Sequence, residues 1–142
     1  MRIRISWKCC AADTATEETS AAPAAGETVA EVLRACVILP DADAGTRWEP
    51  GDRPALETGL TAAGFEADIQ NAQSDTAKYA TIADAQLTKG CNVMLLVDYQ
   101  GAGAAVAEKA KAAGVPVIAY DRPIPGADYY VSFDNFTVGA LQ

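Results

Sequence analysis

The sequence contains no histidine. That absence removes the commonest general base, the Ser-His form of nucleophile activation and the usual zinc ligand sets, and so argues against most hydrolytic chemistry. Basic residues are also scarce: 11 Lys and Arg stand against 19 Asp and Glu, for a net charge of −8. Such a chain repels a phosphate backbone, and no Lys/Arg run interleaved with aromatics counters the repulsion locally, so nucleic acid is not an expected partner. No stretch approaches the roughly 20 apolar residues of a membrane span. The Gly-x-Gly-x-x-Gly and Walker patterns of nucleotide loops are missing as well. The four cysteines, Cys9, Cys10, Cys36 and Cys91, form no CxxC pair or spaced metal-binding set. No metal and no cofactor is implied.

What the chain does have is length and apolar content for one core: 142 residues, half of them hydrophobic, make a single domain the default. Residues 1–33 stand apart from the rest. Met1 to Lys8 carries the positive charge of a signal n-region, but the apolar h-region that should follow is missing. Cys9 and Cys10 then precede a run rich in Ala, Thr, Glu, Ser and Pro, with the low hydrophobicity of a disordered tether. Two readings stand side by side: the linker behind the lipid-modified cysteine of a bacterial lipoprotein, and an arbitrary N-terminus. Cys36 and Cys91 each open a predicted buried strand, where cysteine behaves as a small apolar core residue. That reading is preferred to a disulfide, whose geometry spacing does not establish.

From residue 34 to 142, strand, loop, helix and glycine stop recur. Val37 to Leu39 is an apolar run, and a helix is expected from about Asp52 to Ala63, with Gly64 as its left-handed stop. Phe65 to Ala72 alternates and reads as a half-exposed edge strand. Ser74 or Asp75 caps a second helix carrying Tyr79, Ile82, Ala83 and Gln86, which Gly90 ends. Val93 to Val97 is apolar on both faces, as a central strand must be. A third helix from about Ala104 to Ala113, a strand ending at Tyr120 and a strand from Tyr129 to Phe133 follow. Asp134 or Asn135 would cap one more helix. Strands alternating with helices imply an α/β fold with a doubly wound parallel sheet, and the polar second strand at the edge favours the order 2-1-3-4-5. In such sheets ligands bind beyond the carboxyl ends of the strands, which points to the loops after Leu39, Val97 and Tyr120.

Those loops hold the candidate binding residues. Trp48 offers a flat apolar face of the kind that stacks on a pyranose ring, and Arg47 can fork two neighbouring hydroxyls. The alternative is that Trp48 covers the first helix and Arg47 is solvated. Asp121 and Arg122 place acceptors beside donors within one turn, which suits hydroxyls that both donate and accept; a surface ion pair is the alternative. Asp98 adds a polar group at the switch point. Asp41, Asp43, Asp98 and Asp121 could be imagined as a cation cluster of a phosphoryl-transfer protein, yet no lysine follows the fifth strand to neutralise a phosphoryl group. Gly101 and Gly103 read as a structural loop-to-helix hinge.

The order of these segments resembles the N-terminal lobe of type I periplasmic binding proteins, with the D-xylose-binding branch nearest. The match runs through Val-Ile-Leu-Pro-Asp to Arg47-Trp48, Asp52-Arg53, Gln70-Asn71-Ala72, Tyr120-Asp121-Arg122-Pro123 and Ser132-Phe133-Asp134-Asn135. The resemblance implies a non-enzymatic, two-lobed clamp that closes on a monosaccharide, a xylose-like pentose foremost, and delivers it to an ABC permease from an extracytoplasmic position. It implies that Arg47, Trp48, Asp121, Arg122 and, more weakly, Asp98 touch sugar. A complete protein of this type runs about twice this length, so only the first lobe is expected here. Sugar binding by the chain alone should be millimolar at best, and uncovered apolar surface should favour self-association. Two other readings share the topology. A lactose-repressor-type regulator needs a helix-turn-helix that residues 1–33 do not offer, and a flavodoxin-like enzyme or signalling domain needs reactive residues that are missing.

Overall fold

The computed structural model describes residues 32–41 and 47–141. The expected tether, including Cys9 and Cys10, lies outside them up to residue 31, as does Asp43. The strands are β1 (Arg34–Leu39), β2 (Glu66–Asn71), β3 (Val93–Leu96), β4 (Val117–Tyr120) and β5 (Tyr129–Val131). They form one sheet in the order β2-β1-β3-β4-β5, every neighbouring pair parallel. The polar, alternating strand is at one edge and the apolar β3 is central, as the sequence pattern predicts. The helices are α1 (Arg53–Ala62), α2 (Thr76–Lys89), α3 (Ala102–Ala112) and α4 (Asn135–Ala140).

Alternate residues of the strands feed two cores. On one face Cys36, Ile38, Met94, Leu96, Val117 and Ala119 meet Tyr79 and Ala83 of α2 and Val106, Ala107 and Ala110 of α3. On the other face Val37, Leu39, Ile69 and Val97 meet Trp48, with Leu56 and Leu60 of α1 packed at the side. Buried α2 residues also satisfy sheet backbone: the Tyr79 hydroxyl donates to the Val97 carbonyl at 3.1 Å, and Gln86 Nε2 donates to the Asp68 carbonyl at 2.8 Å. Asp75, not Ser74, caps α2, accepting from the Ala77 and Lys78 amides. Asp134 caps α4 in the same way.

One expectation needs correction. Cys36 and Cys91 are a disulfide rather than separate core thiols, with Cα atoms 5.9 Å apart across 55 residues of sequence. Parallel pairing of β1 with β3 brings the residues together, because Ala35 stands beside Val93; sequence spacing alone contains no such register. The first helix lies within the expected span, and a turn that the sequence does not announce precedes it. Trp48–Asp52 forms a π turn, in which the Asp52 amide donates to the Arg47 carbonyl at 2.8 Å, before α1 begins at Arg53 with proline in its first turn. The turn is tied to β2 through Glu49, which accepts from Arg53 Nε at 2.5 Å and from Asn71 Nδ2 at 2.6 Å. The hydrogen bond from Arg53, more than the opposing desolvation, holds the Glu49 carboxyl below its ordinary value.

Candidate functional site

The loops after β1, β3 and β4 meet at one end of the sheet. Immediately after β4, Asp121 adopts a left-handed backbone with φ of 67°, a conformation rare for a residue with a side chain and kept only when its surroundings enforce it. Here they do. The Asp121 amide donates to the Val131 carbonyl at 2.8 Å, and its own carbonyl accepts from the Tyr130 hydroxyl at 3.2 Å and Ser132 Oγ at 3.3 Å.

In this position the Asp121 carboxylate accepts from Arg47 Nη2 at 2.7 Å. Arg47 Nε donates to Asp52 Oδ2 at 3.0 Å, and the Tyr120 hydroxyl donates to the other Asp52 oxygen at 3.1 Å. The Arg47 guanidinium carbon lies 4.2 Å from the centroid of the Trp48 ring, a cation–π stack. Tyr120 meets the same indole edge-on at 6.4 Å. Arg122 completes the group: its guanidinium carbon is 5.8 Å from the Trp48 centroid, and its Nη1 donates to the Asp98 carbonyl at 2.8 Å.

The charges are stable ones. The hydrogen bond to Asp121 is the chief reason that the Arg47 guanidinium is held more firmly protonated than usual, against an opposing desolvation, with the Asp121 charge adding to it. Burial, and next the hydrogen bond to Asp52, pushes the Tyr120 phenol up, so it remains a donor. The arrangement therefore presents fixed donors on two guanidiniums beside fixed acceptors on a carboxylate, above an aromatic floor. Such a surface can satisfy hydroxyls in both of their hydrogen-bonding roles.

Arg47, Trp48, Asp121 and Arg122, separated by up to 75 positions in the sequence, are thus brought together. Two of the expected residues sit differently from what their residue types suggest. Trp48 is only 5% exposed, with Arg47 over its ring and Val37, Leu39, Ile69 and Val97 packed with it. Its stacking partner in this structure is the guanidinium. The Asp98 carboxylate is turned into its own loop, where it accepts from the Gly101 amide at 2.9 Å and the Gly103 amide at 2.8 Å, capping the start of α3. Only its carbonyl serves the group, by anchoring Arg122. Among the described residues no cluster of His, Cys, Asp and Glu could hold a metal ion.

The Asp98 cap leaves no space at Gly103, where a Cβ would stand 2.8 Å from Asp98 Oδ1 and 2.8 Å from Ile124 Cδ1. Gly103→Ala should therefore destabilise the fold by about 1–3 kcal/mol. A urea midpoint indistinguishable from that of the unsubstituted chain would refute this.

Asp52 and Tyr120 join this group although neither was among the expected binding residues. Asp52 is five positions from Arg47, a spacing that does not face it on an α-helix, where partners stand three or four apart. The π turn supplies that spacing, and no simple periodicity announces a π turn.

In parallel α/β domains, ligands bind beyond the carboxyl ends of the strands, where this chain gathers its polar side chains. The chain belongs to the periplasmic binding protein family: residues 36–142 match the family described as "Periplasmic binding protein domain". This is the family its motifs resemble, and it is one of binding proteins rather than enzymes. The multiple sugar-binding periplasmic receptor of Rhizobium radiobacter is 38% identical over 103 residues, covering 70% of this chain and 29% of the receptor. The D-xylose-binding periplasmic protein of Escherichia coli is 32% identical over 99 residues, covering 68% of this chain and 30% of that protein. Among solved structures, a carbohydrate transporter solute-binding protein from Chloroflexus aurantiacus in complex with D-glucose superposes with a TM-score of 0.68 at 37% identity, covering 78% of this chain and 33% of that one. The chain spans about 30% of the length of the curated relatives that it matches.

Proposed function

We propose that this chain is the N-terminal lobe of a sugar-binding protein that serves an ABC importer, and that Arg47, Asp121 and Arg122 hold a monosaccharide against a second lobe. The observation that carries the reading is the convergence of the Arg47–Asp121 pair, at 2.7 Å, with Arg122 over the Trp48 ring. Family membership supports it, as do the sugars named for the relatives: multiple sugars, D-xylose and D-glucose. A xylose-like pentose is the foremost candidate ligand. Trp48 acts as the floor under Arg47, and Asp98 acts through its carbonyl on Arg122. An extracytoplasmic position, lipid-anchored through Cys9 or Cys10, fits the family name and the disulfide, since such bonds persist in oxidising compartments. Among the described residues no helix is long and apolar enough to cross a membrane.

The test is calorimetric titration of the complete binding protein with D-xylose and D-glucose. Asp121→Ala and Arg122→Ala should each weaken binding by roughly tenfold to a hundredfold, the effect of removing one charged hydrogen-bond partner. Unchanged affinity in both variants refutes the assignment of the site.

A second proposal concerns assembly. Tyr129, Val131, Phe133, Phe136 and Leu141 leave more than half of their surfaces exposed along β5 and α4, and among the described residues β5 pairs only with β4. An open strand edge with apolar neighbours is a template for association. The 142-residue chain is expected to self-associate through this face, and Tyr129→Lys with Phe136→Lys should restore monomers. A purely monomeric sedimentation profile of the unsubstituted chain at high concentration is the contrary result.

A further inference from the structure

We infer that Asp52 and Tyr120 are positioning residues that hold Arg47 in its binding geometry independently of Asp121; the inference rests on the reading of this site as a sugar-binding surface. Arg47 has a long side chain that is 45% exposed. A ligand that had to immobilise such a side chain would bind more weakly for it, and a site that immobilises it beforehand removes that penalty. Trp48 supports the guanidinium from below, but a flat ring fixes neither its rotation nor its reach. Asp121 fixes one end through Nη2. The same carboxylate is a candidate acceptor for ligand hydroxyls, so its hold on Arg47 weakens when a ligand competes for it.

Asp52 is engaged from two sides within the chain. One of its oxygens accepts from Arg47 Nε and the other from the Tyr120 hydroxyl. The π turn is what delivers it. Because the Asp52 amide bonds back to the Arg47 carbonyl, the backbone of these two residues is joined and the Asp52 carboxylate is carried to the Arg47 side chain. The Gly51 amide also donates to the Arg47 carbonyl, at 2.9 Å, as in an α-helix, but Gly51 has no side chain to offer Nε; the added bond from Asp52 brings in a residue that does. Tyr120 ends β4 and directly precedes Asp121. The dyad therefore ties the first loop to the fourth strand by a route separate from the Arg47–Asp121 pair.

The experiment compares Asp52→Ala, Asp52→Asn, Tyr120→Phe and Asp121→Ala in the complete binding protein. It measures D-xylose and D-glucose affinity by calorimetry, thermal midpoint, and the hydrogen exchange of the Arg47 Nε–H group by nitrogen-15 NMR. Asp52→Ala should weaken affinity roughly tenfold and Tyr120→Phe by a smaller factor, as expected for hydrogen bonds to charged groups. In both, exchange of the Arg47 Nε–H should quicken while the folded fraction at the assay temperature is unchanged. Asp52→Asn keeps one acceptor oxygen for Arg47 and should recover most of the loss, which a bulk structural effect would not do. Should Asp52→Ala fail to fold, the Tyr120→Phe and Asp52→Asn pair decides by the same readouts. Full affinity in Asp52→Ala and Tyr120→Phe alongside a loss in Asp121→Ala overturns the positioning role and leaves the site assignment intact. Full affinity in Asp121→Ala as well, or no sugar bound by the unsubstituted protein, overturns the site assignment and the inference with it.

Discussion

Replacing Cys36 and Cys91 together by alanine is expected to lower folding stability by about 4 kcal/mol. The bridge closes 55 residues of chain, and the chain-entropy account of cross-linking gives ~4 kcal/mol for a loop of that size. The closed segment contains the whole of α1, β2 and α2, so the cross-link restricts much of the unfolded chain. Cys36 is fully buried and Cys91 is 7% exposed, so truncation also removes packed sulfur from the core and leaves no polar group stranded. Single domains have only about 5–15 kcal/mol to lose, and the double variant should melt roughly 15 °C lower at this size. Thermal or urea denaturation of the two forms under oxidising conditions measures it. Equal midpoints, or free thiols at both positions in peptide mapping of the unsubstituted protein, would show that the bridge is not part of the native fold.

Trp48→Ala should destabilise the domain by about 3–5 kcal/mol, the range for removing a large buried aromatic. Its core contains only Val37, Leu39, Ile69 and Val97 as fully packed partners. Losing the indole opens a space that Leu56 and Leu60, at the margin of α1, fill poorly. On the proposed reading of the site, the same substitution removes the floor under Arg47 and should abolish measurable sugar binding by the complete binding protein. The two readouts separate the possible roles of this residue. An indole that served only as an exposed stacking platform would leave the denaturation midpoint within about 1 kcal/mol of the original and reduce affinity alone. An indole seated as the structure has it changes both, and Trp48→Phe should recover more stability than affinity, because a smaller ring still fills part of the core but supports less of the guanidinium.

Much of this molecule follows from local pattern. The two-faced apolar run at β3, the alternation of β2 and the glycine stops determine a parallel α/β sheet and its strand order, because burial on two faces, on one face or at an edge leaves different periodicities in the residues. The order of strands in turn determines where a ligand can bind, and so which loops matter. Arg47, Trp48, Asp121 and Arg122 stand out in the sequence for that reason, as unusual residues in those loops, and the structure places them together.

Tertiary structure alone decided the rest, in each case because the partners are remote in sequence. Whether two apolar cysteines become a bridge depends on the register between β1 and β3, which no spacing within either strand encodes. Whether Trp48 presents a bare face or carries a guanidinium depends on where Arg47 is placed over the sheet, 74 positions from the Asp121 that holds it. The Asp98 carboxylate could have faced a ligand, and it is the Gly101 and Gly103 amides that turn it into a helix cap. Asp52 reaches Arg47 through a single extra residue in one turn, a difference of one backbone hydrogen bond that helical periodicity does not contain.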